Sequence, residues 1–105
     1  MLRRMSYAQG DFDAAIAAAA GDDHALAAEL RASFLESLAH HTDLLRRARC
    51  DGNWQLAAKR LRRLGASFQE GELVALAQEA HDGAPGDPVV LRKLSFLAER
   101  FSIRV

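Results

Sequence analysis

Alanine and leucine together supply 36 of the 105 residues, whereas isoleucine, valine and threonine supply 7. Residues that keep their side-chain freedom in a helix therefore dominate, and those whose branched Cβ suits a pleated strand are scarce. A chain so poor in strand formers cannot build a sheet, and it must bury its apolar surface between helices. Its length allows one core, and so one helical domain over residues 1–105.

Charge and cysteine usage narrow the function classes. The 14 basic and 14 acidic side chains cancel, so no global field drives the molecule onto nucleic acid or an anionic membrane, and an electrostatic partner has to be met by a local patch. The longest uncharged apolar stretch, Ala14 to Ala20, is far below the roughly 20 residues needed to cross a bilayer. Met1-Leu2-Arg3-Arg4-Met5 is basic, but polar Ser6 to Asp13 follows where a secretory leader would be apolar. Cys50 is the only cysteine, which excludes an internal disulfide and a zinc site built on paired cysteines. A reduced, cytoplasmic setting fits this usage.

Glycine, proline and acidic caps punctuate the chain at Gly10-Asp11, Gly21-Asp22, Asp51-Gly52-Asn53, Glu70-Gly71 and Asp82 to Pro88. The helices expected between these marks run over 11–20, 23–50, 54–69, 72–81 and 88–101. Asp22, Asn53 and Asp87 occupy expected N-cap positions, Pro88 the first position of the last helix, and Gly21 and Gly52 the left-handed closing positions. At 100° per residue the second helix carries a stripe centred on Leu30, with Leu26, Phe34, Ser37, His41, Leu44, Leu45 and Ala48. The third carries Trp54, Ala57, Ala58, Leu61, Leu64, Gly65 and Phe68; the fourth Leu73, Leu76, Ala77 and Ala80; the fifth Val90, Leu91, Leu94, Leu97, Ala98 and Phe101. Four one-sided helices with short loops predict an all-α, antiparallel four-helix bundle. The short first helix, with Phe12, Ala15, Ile16 and Ala19, is expected to cap one end.

The face of the third helix opposite Leu61 holds Gln55, Leu56, Lys59, Arg63 and Ala66, flanked by Arg60 and Arg62. Seven of the 14 basic residues, Arg46, Arg47, Arg49, Lys59, Arg60, Arg62 and Arg63, fall between positions 46 and 63, where Asp51 is the one acid. Favourable interaction with the helix dipole accounts for the first three at the end of their helix. Lys59 and Arg63 are like charges one turn apart, which is unfavourable within the helix and points to an external anionic partner. Gln55, Lys59, Arg60, Arg62, Arg63 and Ala66 are therefore the candidate partner-binding residues.

The segment Trp54 to Phe68 resembles the central helix of the histidine-containing phosphotransfer (HPt) domains of two-component phosphorelays, whose pattern is D-W-x-x-L-x-x-x-A-H-x-L-K-G-x-A-x-x-L-G. Leu26 to Leu38 is similar to the long helix before it, Asp51-Gly52-Asn53-Trp54 to the intervening turn, and the resemblance spans about residues 11–100. It implies a bundle that docks the receiver domain of a response regulator or hybrid histidine kinase. With Ala58 to Arg63 laid on the A-H-x-L-K-G part of that pattern, Lys59, however, stands where the family has its phospho-accepting histidine, Arg62 replaces the family's lysine, and Arg63 fills the position of its small glycine. Phosphoryl relay needs a nitrogen that is partly neutral near pH 7, as an imidazole is; a solvated lysine is a cation there and has no free lone pair for attack. The resemblance thus implies a pseudo-phosphotransfer protein with no catalytic residue and no cofactor, not an enzyme.

His24, His40, His41 and His81 do not have a lysine and a small residue placed around them as that motif requires. His41, within the apolar stripe, is expected to be a hydrogen-bonded core or boundary residue, and His40, adjacent to it, to point elsewhere. No metal-ligand spacing and no phosphate-cradling glycine loop occurs. The alternative reading is a helical protein- or nucleic-acid-binding module using the Arg46 to Arg63 patch. With Trp54 assigned to the core, that patch has no stacking platform, which argues against nucleic acid. A third is a bundle that self-associates through Leu35 and Phe96, both off their stripes. Monomer and dimer are equally compatible with the sequence.

Overall fold

The computed structural model describes the backbone of residues 2–103 and the side chains of residues 10–102. The described residues fold into helices α1 (Leu2–Ala20), α2 (His24–Arg47), α3 (Asp51–Ser67), α4 (Gly71–Asp82) and α5 (Pro88–Ile103), with no strand among them. Helix α2 packs on α3, α3 on α4, α4 on α5 and α5 back on α2, while α1 lies along α2. No helix among the described residues is long and apolar enough to cross a membrane.

The first helix is not short. Gly10, read as punctuation, lies inside it, and helix formers such as Leu2, Met5, Ala8 and Gln9 carry the helix through; one interior glycine costs only about 1 kcal/mol. The side chains before Gly10, including the basic start of the chain, lie outside the described residues. In the second half of α1, Phe12 is fully buried. Its ring centroid lies 4.7 Å from that of Phe34 and 4.9 Å from that of Phe101, and Phe68 follows at 6.0 Å. Four aromatic rings from α1, α2, the end of α3 and α5 thus close this part of the core, each pair worth about 0.5–1.5 kcal/mol beyond area burial. Arg31 holds α1 from outside: its guanidinium sits 5.2 Å over the Phe12 ring and donates to Asp13 Oδ1 at 2.6 Å.

Several local expectations shift by one to three residues. The N-cap of α2 is Asp23 rather than Asp22; its carboxylate accepts from Leu26 N–H at 3.0 Å. Helix α2 stops at Arg47 because Ala48 turns extended (ψ 130°), and Cys50, not Asn53, takes the N-cap of α3. Gly52 and Asn53 accordingly lie in the first turn of α3. Gly21 does hold the left-handed closing position, at φ 64°, and Asp87 does cap α5, accepting from Val89 N–H at 2.9 Å.

The buried faces of α3 and α4 are those expected, and so is the centre of the α5 face, where Val90, Leu94, Leu97 and Phe101 are buried. The α2 face is not. Its buried residues are Phe34, Leu38, Thr42 and Leu45, a stripe rotated by roughly 75° from Leu30 at 100° per residue. Leu26 is exposed and Ser37 and His41 lie at the edge. Helix α2 is touched by α1, α3 and α5, so its neighbours set its inner face and an apolar count along its own length misplaces it. Leu35, expected outside, packs half-buried against the core, whereas Phe96 is exposed as expected. In α1 the buried set is Phe12, Ile16 and Ala20, with Ala19 exposed.

Candidate functional site

The outward face of α3 is presented by what anchors its inward face. Trp54 is fully buried and its indole Nε1–H donates to the Ala80 carbonyl at 2.6 Å, tying the start of α3 to the end of α4. At the other end Gly65 lets α4 approach closely: a Cβ there would meet Val74 N and Cγ2 at 3.0 Å and Glu70 O at 3.1 Å. The helix closes with Glu70 N–H donating to Gly65 O at 2.8 Å and Gln69 N–H to Ala66 O at 3.3 Å. This is the Schellman arrangement, with Gln69 rather than a glycine in the left-handed position, φ 55°. Glu70 is then swallowed, 1% exposed, and caps α4 by accepting from Glu72 N–H at 2.9 Å. Burial pushes its carboxyl pKa above the ordinary value, against the lowering effect of the backbone donors it faces.

With α3 held this way, Gln55, Lys59, Arg60, Arg62, Arg63 and Ala66 are all exposed. Arg62 leans to α4, its Nη1 donating to Gln78 Oε1 at 2.6 Å, and Gln78 in turn donates to the Asp82 carboxylate at 3.1 Å. Those Gln78 hydrogen bonds, then that of His81 at 3.3 Å, hold the Asp82 carboxyl below its ordinary pKa. Lys59, Arg60 and Arg63 have no ion-pair partner among the described residues. The run of seven cations is not one surface, however. Arg46 reaches across α2 to Ser95 of α5 at 3.3 Å, and Arg47 pairs with Asp43 at 3.2 Å. Sequence proximity overstates the patch because α2 ends before Arg49 and sends its last cations around its own circumference.

Arg60 and Arg63 border the α2 side of α3. There a cleft of about 330 Å³ is lined by Ser37, His41, Arg60, Arg63, Leu64 and Ser67. A neighbouring groove of about 440 Å³ runs past Leu44, Arg47, Ala48, Leu56 and Arg60, and Leu56 is one of the few large apolar side chains left exposed. His41 and Ser37 are members of this face that the helical wheel assigned to the core stripe; their one-turn spacing and the rotation of α2 place them at the α2–α3 seam. His41 is a boundary residue, but its Nδ1 is shut from solvent without a hydrogen-bond partner. Burial, then the positive charges of His40 and Arg60, lower its pKa from the ordinary 6.5. The rings of His40 and His41 do not diverge as expected: their centroids are 5.1 Å apart at 59°. His24 and Cys50 are exposed at helix starts, far along the chain from this cleft.

The arrangement therefore offers an unneutralised cationic ridge on a rigid helix, with polar and apolar ground beside it. In comparisons with known proteins the chain matches no family model, no curated protein and no solved structure.

Proposed function

We propose that this chain is a pseudo-phosphotransfer protein of the HPt type. In this reading α2 to α5 form an antiparallel four-helix bundle with α1 across one end. The basic face of α3 binds the receiver domain of a response regulator or hybrid histidine kinase without relaying phosphate. The observation that carries the reading is the exposure of Lys59 and Arg63 on the outward face of α3, one turn apart and unpaired among the described residues. Receiver domains surround their phosphorylatable aspartate with carboxylates, and a fixed cation is complementary to that pocket where an imidazole would have taken the phosphoryl group. Held on a helix rather than a loop, the cations lose little ordering entropy on binding. Screening over roughly 8 Å at physiological ionic strength makes the association salt-sensitive. Binding of this kind sequesters a regulator in the reducing, cytoplasmic setting that the single cysteine suits.

The nucleic-acid alternative is the weaker one. Trp54, the aromatic nearest the patch in sequence, is buried and hydrogen-bonded, and stacking on exposed aromatic rings supplies much of single-strand affinity.

The test is a gain of function. Lys59→His restores the nucleophile and Arg63→Gly the small residue that admits a receiver; Arg62 remains three residues on to stabilise the transferred group. The glycine costs about 1 kcal/mol of helix stability. The double variant is expected to take up acid-labile phosphate from phosphorylated receivers, Lys59→His alone little, and the wild type none. A folded double variant that neither accepts phosphate from nor binds any of a panel of receivers contradicts the reading. Stoichiometric phosphohistidine on wild-type His24, His40, His41 or His81 would make this an active relay protein with a displaced site.

A further inference from the structure

We propose that the cleft between α2 and α3, lined by Ser37, His41, Arg60, Arg63, Leu64 and Ser67, is a binding site for a phosphate group, free or singly esterified. The inference does not depend on a receiver partner, since it concerns the α2 side of α3 and a small anion.

Two guanidinium groups border this cleft and have no acid partner among the described residues. A third potential cation, His41, stands in the same wall, with His40 against it at 5.1 Å between ring centroids. The charges acting on His41 are those of His40 on its own helix and Arg60 across the cleft, with Arg63 lining the same cleft; Glu36, one turn before His40, lines the adjoining groove with Ser37 and His40. Asp43, one turn from His40 on the same helix, is engaged by Arg47 at 3.2 Å. Like charges gathered at a seam are unfavourable for the fold, and an anion seated among them reverses that sign. Burial first, and then the positive charges of His40 and Arg60, lower the His41 pKa.

The donor set distinguishes anions. His41 Nδ1 is closed off without a partner, which leaves Nε2 as the ring nitrogen open to a ligand. Neither Ser37 nor Ser67 spends its hydroxyl on a hydrogen bond among the described residues, so both remain available. A carboxylate is satisfied by the fork of one guanidinium, which would leave the second arginine, the hydroxyls and the imidazole unused. A phosphate group presents more oxygens and up to two charges, and matches two arginine forks with neutral donors between them. Leu64 supplies an apolar floor against which such hydrogen bonds are less exposed to water.

The test uses the full chain labelled for NMR and titrated with inorganic phosphate, then with glycerol phosphate, at constant ionic strength set by chloride. Expected are saturable shifts confined to Ser37, His41, Arg60, Arg63 and Ser67, and an upward move of the His41 pKa on saturation. Arg60→Gln with Arg63→Gln should weaken phosphate binding by about tenfold or more, as loss of charge-assisted bonds does, while Arg92→Gln, an exposed arginine of α5 outside the cleft, should leave it within about twofold. Saturation by glycerol phosphate but not by inorganic phosphate assigns an esterified ligand, and the reverse a free one. Equal saturation by acetate, diffuse shifts on every arginine, equal loss in Arg92→Gln, or an unmoved His41 would each overturn the proposal.

Discussion

The two faces of α3 share 17 residues and one backbone, yet they are built on opposite terms. The inner face carries Trp54, Ala57, Ala58, Leu61 and Gly65, buried, and its one polar atom, the Trp54 indole N–H, is hydrogen-bonded. The outer face carries Lys59, Arg60 and Arg63 with no acid to answer them among the described residues. Packing free energy is concentrated on the first and unspent electrostatic potential on the second. Substitution of one should therefore be read in stability, and of the other in binding.

The largest effect is expected for Trp54→Ala, which removes a fully buried indole and leaves the Ala80 carbonyl with one donor fewer. It should lower unfolding free energy by about 3–5 kcal/mol in urea titrations, and retention of more than half of the indole's contribution would show α3 and α4 to be less tightly joined than described. Gly65→Ala comes next, at about 1–3 kcal/mol, because Val74 backbone and the Glu70 carbonyl leave no room for a methyl group. A neutral result there would contradict the close α3–α4 approach.

At the turn between these helices the sign depends on pH. The folded state binds a proton on Glu70 more tightly than the unfolded chain, since burial raises its pKa. Its contribution is therefore fully present below the ordinary carboxylate range and is lost as pH rises through the raised value. Glu70→Gln keeps an acceptor for Glu72 N–H and should flatten that part of the stability–pH curve, whereas Glu70→Ala also removes the cap, worth about 1 kcal/mol, and its cost should shrink as pH rises through the raised value. Gln69→Gly should act in the other direction, stabilising by up to about 1 kcal/mol through relief of the left-handed backbone, partly offset by glycine's greater freedom when unfolded.

Much of this was legible in the sequence for a physical reason. Helices α3, α4 and α5 each bury one side, so an apolar period of 3.6 residues reports directly what the fold does with Leu61, Leu73 or Leu94. Helix α2 meets three neighbours, and a partner-dependent face cannot be read from its own period; Thr42 is buried although polar, and Leu26 exposed although apolar. N-cap positions shift where no proline marks them, as at Asp23 and Cys50, and hold at Asp87, which Pro88 follows. The exposed cations of α3 are legible as a set but not their division: Arg62 hydrogen-bonds Gln78 on α4, and Arg60 shares a cleft with His41 on α2, juxtapositions between elements that spacing along one helix does not contain.

The smallest effect on stability, and the most direct test of the central claim, belongs to the outer face. Lys59→Glu combined with Arg63→Glu should change unfolding free energy by about 0.5 kcal/mol or less per site. Calorimetric titration of the wild type with a cognate or promiscuous receiver domain should give saturable binding that weakens as salt rises, and the double variant should give no measurable heat of association. Equal affinity of wild type and double variant for the receiver, or salt-sensitive binding of the wild type to nucleic acid in preference to any receiver, would contradict the assignment of this face to receiver recognition.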